Sequence, residues 1–107
     1  MTNNEEKLHK YVKLLADKNR YKIILSLAKG EECVCFLSEK LKIEQTLLSH
    51  HLRILREEKI IKVRKTGTWA YYSLDPKMFA EMEKIYKELL GAKNISDKEH
   101  SHNKACK

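Results

Sequence analysis

Cys33 and Cys35, separated by Val34 alone, are the residues of this chain whose type and spacing promise chemistry. Thiolate sulfur is a soft donor that selects thiophilic ions over hard ones, so the pair suits a soft metal or metalloid. Trivalent arsenic or antimony would take three sulfurs in a pyramid, and the one further thiol is Cys106, near the C-terminal end. His100 and His102 stand close to Cys106 and could complete a mixed nitrogen and sulfur site for cadmium, lead, zinc or copper(I). His9 is a weaker candidate. The same thiols could instead read oxidants or persulfides, with Cys33 reacting and Cys35 or Cys106 resolving. In helical proteins at large a Cys-x-Cys is more often two small packed residues, so the pair takes its meaning from its surroundings.

A second constellation follows a few residues on. With about 100° between successive helical residues, Leu48, Leu52 and Leu55 fall on one side of a helix, with His51 at the edge. Thr46, Ser49, His50 and Arg53 fall on the other, and Gln45 lies with Thr46 and Ser49 near the N-terminal end. Short polar side chains near a helix N-terminus, backed by apolar residues, are what a major-groove reading helix presents to base edges and phosphates. Lys62, Arg64 and Lys65 follow and are placed for the DNA backbone or the adjacent minor groove. His51 reads as a packed, hydrogen-bonded histidine rather than a DNA contact. Leu47 lies beside the reading face without a clear role.

The elements that must position these residues are mainly α with a β-hairpin wing. Leu8, Val12 and Leu15, with Tyr11 and Leu14, mark an amphipathic helix ending near Asp17. Asp17 or Asn19 can cap a second helix carrying Ile23, Ile24 and Leu27, and Gly30 stops it. A short helix over about 33–40 and a longer one over 44–59 flank a tight turn around Lys42, a helix-turn-helix layout. Residues 60–65 and 68–74 are rich in β-branched and aromatic residues, with Thr66-Gly67 as the hairpin turn. Asp75-Pro76 then opens a last helix in which Met78, Met82, Ile85 and Leu89 repeat at heptad-like spacing. Phe79, Tyr86 and Leu90 widen its apolar stripe beyond what a small domain covers, which points to a second copy of the chain.

The chain of 107 residues fits one domain, assigned to 1–91, followed by a flexible charged tail over 92–107. Lysine and arginine outnumber aspartate and glutamate by 22 to 15, a formal charge of +7, and five units of that excess fall within residues 40–65. Such a concentration favours double-stranded DNA over acidic partners. The charged opening MTNNEEKLHKY and the lack of a long apolar run give no secretory signal or membrane span, so a cytoplasmic protein is expected. Without a phosphate loop, a nucleophile–base pair or a cofactor motif, an enzyme is not expected.

Asp17-x-x-Arg20-x-x-Ile23-Ile24, Gln45-x-x-x-Ser49-His50-His51-Leu52 with Leu55, and Gly67 followed by Tyr72-x-Leu74 resemble the ArsR/SmtB repressors over about residues 8–90. The resemblance implies a winged helix-turn-helix, a homodimer formed through the first and last helices, and binding to an operator. Glu44 departs from the serine frequent at the start of the recognition helix, although its charge suits a helix N-terminus. Glu32-Cys33-Val34-Cys35-x-Leu37 is similar to the metalloid-sensing branch, in which a Cys-Val-Cys captures arsenite and releases DNA. Ser38 stands where that branch commonly has its third cysteine. The family's other common sensor site, aspartates and histidines on the last helix, is missing from residues 77–90. Were Cys33 and Cys35 both on a regular helix, their side chains would point about 200° apart, so sharing one ion would unwind the first turn and shift the recognition helix.

Overall fold

The computed structural model describes residues 1–93. Eight elements run in the order α1 (Asn3–Ala16), α2 (Lys18–Leu27), β1 (Glu32–Cys33), α3 (Val34–Leu41), α4 (Gln45–Glu57), β2 (Ile61–Thr66), β3 (Trp69–Leu74) and α5 (Pro76–Leu90). Local chemistry sets most boundaries. Thr2 and Glu5 form a capping box at the start of α1. Asp17 is extended, which ends α1, and its carboxylate accepts from the Arg20 amide at 3.0 Å, which starts α2. Lys42 closes α3 in the left-handed region at φ 55°, and the Ser38 hydroxyl donates to the Ile43 carbonyl at 2.7 Å across the same turn. Asp75 caps α5 with Pro76 in its first turn.

Most of the core is one contiguous cluster. Ile23 and Leu27 of α2, Leu37 of α3, and Leu48, Leu52 and Leu55 of α4 are buried together with Ile43, Ile60 and Ile61. The periodicity read for α4 is therefore the face by which that helix is held. Burying a Leu or Ile side chain is worth about 1.5–3 kcal/mol, so this cluster fixes how α4 sits on the rest of the domain. A second cluster joins Leu8 of α1 to Met82 and Ile85 of α5. Phe79, expected as part of a surplus apolar stripe, is used inside the chain, edge-on to Tyr11 at 5.7 Å. Val12, Tyr86 and Leu90 remain about half exposed on α1 and α5.

The sheet differs from a plain hairpin in having three strands, in the order β1-β3-β2, all antiparallel. Thr66 pairs with Trp69, so the two loop residues are Gly67 and Thr68 rather than Thr66 and Gly67. Gly67 adopts φ 60°, the left-handed backbone that tight hairpin loops give to glycine. The extra strand is short: Glu32 pairs with Tyr72 and Cys33 with Tyr71. Two residues give too little alternation for a strand to be recognised by pattern. Among the described residues no helix is long and apolar enough to cross a membrane.

Candidate nucleic-acid interface and thiol site

The exposed side of α4 carries Gln45, Thr46, Ser49, His50 and Arg53, all solvent-accessible, opposite the buried leucines. Glu44 caps the helix through its carboxylate, which accepts from the Thr46 amide at 3.3 Å. Arg53 lies 3.4 Å from the His50 ring nitrogen Nδ1, so the two form one polar group on this face. Leu47 is exposed beside them and has no evident role.

Behind that face His51 is buried, as its position at the edge of the apolar stripe suggests. Arg20 lies 3.5 Å from its Nδ1 and also donates through Nε to the Leu14 carbonyl at 2.9 Å. Since arginine can only donate, Nδ1 is the acceptor and the ring proton sits on Nε2, 3.9 Å from the Asp17 carboxylate. Burial lowers the His51 pKa. The Asp17 carboxylate opposes that shift, and Arg20 and His50 reinforce it. The motif Asp17-x-x-Arg20 thus ties α1, α2 and α4 together beneath the exposed polar face of α4.

In the wing, Lys62 and Lys65 are exposed. Arg64 is exposed too but engaged: its guanidinium donates to both Glu31 oxygens, at 2.7 and 3.2 Å, and its carbon Cζ lies 4.8 Å from the Tyr71 ring centre. The carboxylate raises the Arg64 pKa, and the Arg64 hydrogen bond in turn holds the Glu31 carboxyl below its ordinary range. No sequence motif marks Glu31. It precedes β1, and only the long-range pairing of β1 with the wing brings it to Arg64.

The thiols occupy a different setting from the regular helical turn expected of them. Helix α3 begins at Val34, and Cys33 is its extended N-cap residue, φ −87° and ψ 160°, because β1 pairs it with Tyr71. The two cysteines straddle a strand–helix junction, so the 200° separation of a regular helix does not apply to them. Both are free, Cys33 half-buried and Cys35 exposed. They line a single concavity of about 220 Å³ with Val34 and with Thr68, Trp69 and Ala70 of the wing. The Gln45 amide nitrogen lies 3.8 Å from Cys35 Sγ, a weak hydrogen bond from α4 to a thiol. Ser38, one turn after Cys35, donates its hydroxyl to the Ile43 carbonyl.

The soft donors fit a thiophilic guest, although no group of three or more His, Cys, Asp or Glu side chains able to hold a metal ion is present among the described residues. Cys106, His100 and His102, named as further ligands, lie outside the described residues, as does nearly all of the expected tail. Trp69 and Tyr71 carry no signal of their own in the sequence, because only strand register puts them beside the thiols and Arg64.

The model of the family described as "Bacterial regulatory protein, arsR family" matches residues 17–63. The chain is 42% identical over 74 residues to the arsenical resistance operon repressor of Bacillus subtilis, covering 65% of this chain and 70% of that protein. It is 38% identical over 69 residues to the transcriptional repressor SmtB homolog of Synechocystis, covering 64% of this chain and only 52% of the relative. The chain thus spans about half of the latter's length. Among solved structures, HlyU of Vibrio cholerae superposes with a TM-score of 0.69 at 29% identity, over 83% of this chain and 98% of that one.

Proposed function

The chain belongs to the ArsR/SmtB family of helix-turn-helix transcription regulators, and from that premise we propose that it is a homodimeric repressor released from its operator by a thiophilic metal or metalloid at Cys33 and Cys35. Arsenite or antimonite is the first choice of inducer, with cadmium, lead, zinc and copper(I) as alternatives. Its matching relatives are regulators rather than enzymes. Gln45, Thr46, Ser49, His50 and Arg53 would read the major groove, with the basic wing on the phosphates through Lys62 and Lys65. Arg64 adds charge there while Glu31 holds its side chain. The exposed Val12, Tyr86 and Leu90 support pairing of two chains through α1 and α5, which would set two reading helices about one helical turn of DNA apart.

The observation that carries the switch is the Gln45 contact with Cys35. A thiol that takes up an ion loses its proton and is drawn to the position the guest dictates, so the Gln45 amide that donates to it is drawn with it or left behind, and the start of α4 is shifted either way. Cys33 acts on the second route: it is paired with Tyr71, whose ring receives Arg64, so moving Cys33 moves the wing. A conformational change of α3 is not required. Ligand and DNA then oppose each other through a coupling free energy of about 1–3 kcal/mol.

Electrophoretic shift of the DNA upstream of the chain's own gene tests this, under strict reduction and with arsenite, antimonite, cadmium, lead, zinc and copper(I) in turn. Release by one or more of these in the wild type, and by none in Cys33→Ser/Cys35→Ser, is expected. Release of the double variant would end the assignment of the thiols. Release by oxidant only would favour a redox sensor on the same fold.

A further inference from the structure

We infer that the concavity between the start of α3 and the wing is built for a trivalent arsenical that already carries one organic group, with arsenic bridging Cys33 and Cys35 and the organic group lying against Trp69. The inference rests on the reading of these two thiols as the inducer site and adds the class of ligand.

Arsenic in this state makes three bonds. Inorganic arsenite needs a third donor to complete a sulfur pyramid, whereas an arsenical R–As(OH)2 has its third bond to carbon and asks for two thiols. Two thiols are what the concavity supplies. Ser38, one turn further along α3, offers a hydroxyl rather than a sulfur, and it is donated to the Ile43 carbonyl to hold the turn before α4. Apart from Thr68, the remaining wall suits carbon rather than a third sulfur: Val34, Ala70 and the indole of Trp69, which is 55% exposed. A space of about 220 Å³ is ample for a methyl or phenyl substituent, given that a cavity of about 150 Å³ accommodates benzene. An aromatic face beside an apolar substituent contributes by area and by ring contact.

The reaction balances without a redox partner: R–As(OH)2 and two thiols give R–As(S–Cys)2 and two waters. Two arsenic–oxygen bonds break and two arsenic–sulfur bonds form. Each thiol proton leaves in a water molecule, the arsenic–carbon bond is untouched, and arsenic remains trivalent.

The test uses the reduced full-length chain as it is, with Cys106→Ser measured beside it so that a third sulfur from Cys106, which would favour arsenite, is detected. Arsenite and phenylarsine oxide, hydrated in water to the diol, are the probes, each compared with its affinity for a free dithiol to cancel intrinsic thiol reactivity. Affinities are read by competition with a free dithiol, followed by intact mass, which serves the wild type and the Trp69 variants alike; Trp69 is the sole tryptophan, so its fluorescence reports binding as well wherever it is retained. After that normalisation the phenyl probe should bind at least about tenfold more tightly than arsenite, with one phenylarsenic per chain by intact mass. Trp69→Ala should lose that advantage while Trp69→Phe keeps most of it, and arsenite binding should be unmoved by either. Equal normalised affinities for the two probes, or an advantage that survives Trp69→Ala, would overturn the inference. Operator release is read separately. If phenylarsenic binds as stated but DNA stays bound, the inducer reading fails and the ligand class stands. If arsenite binds and releases DNA as well as the phenyl probe does, the inducer reading stands and the ligand class fails.

Discussion

Two regions meet at Gln45, and they are built by opposite means. The reading face belongs to one helix: α4 turns Leu48, Leu52 and Leu55 inward, and the same rotation turns Thr46, Ser49 and Arg53 outward. The thiol concavity belongs to no single element. It needs the loop before α3 and the wing about 35 residues further on, joined by two strand pairs, Glu32 with Tyr72 and Cys33 with Tyr71. A surface made by helical period is stable wherever its helix is packed. One made by a two-residue strand can be disturbed by a single new bond, which is the property a sensor requires.

Variants should separate the two regions, beginning with one that spares neither. Leu48 is fully buried under α4, and Leu48→Ala cuts its side chain back to Cβ and leaves a cavity in the core. The expected cost is about 2–5 kcal/mol in urea unfolding, with operator binding abolished as α4 comes loose. A cost indistinguishable from zero would mean that α4 is not seated on this core.

Lys62→Ala/Lys65→Ala should touch the reading surface alone. Removing one lysine–phosphate pair makes the dependence of log K on log salt shallower by about 0.9, so the double variant should be shallower by up to about 1.8, with weaker binding to all sequences alike. Uptake of a thiophilic probe by Cys33 and Cys35 should be unchanged. An unaltered salt slope would remove the wing lysines from the interface.

How much of this is legible in the sequence follows from the same contrast. Elements whose partners are local can be read directly: α4 from its apolar spacing, α5 from Asp75-Pro76, the start of α2 from Asp17, and the burial of His51 from its place at the stripe's edge. The strand β1, the brace of Glu31 on Arg64 and the nearness of Trp69 to the thiols cannot, because each depends on which residues a distant strand meets. The helical setting expected for Cys33 fails for that reason. Its own neighbours, Val34 and Phe36, are apolar enough for either state, and pairing with Tyr71 decides the matter.

Glu31→Gln sharpens the boundary between the regions. The Glu31 pair with Arg64 is exposed, so removing it should leave thermal stability almost unmoved. It should also free a guanidinium on the DNA side, making the salt slope steeper by up to about 0.9 and binding modestly tighter. Weaker operator binding instead would show that Glu31 braces the wing more than it masks Arg64.

The smallest effect concerns pH and lies behind the reading face. Burial holds the His51 pKa below the ordinary value of about 6.5, with Arg20 already donating to Nδ1. Between that lowered value and 6.5 the unfolded chain binds the proton and the folded chain does not, so stability rises with pH across this window. The contribution of neutral His51 is therefore fully present above about pH 6.5 and is lost as pH falls through the folded pKa. Urea midpoints should drop from about pH 7.5 to about pH 5.5 in the wild type, and His51→Gln, unable to titrate, should flatten that part of the fall. Were the variant's drop as large as the wild type's, the protonation of His51 would not be what couples acidity to the packing of α4.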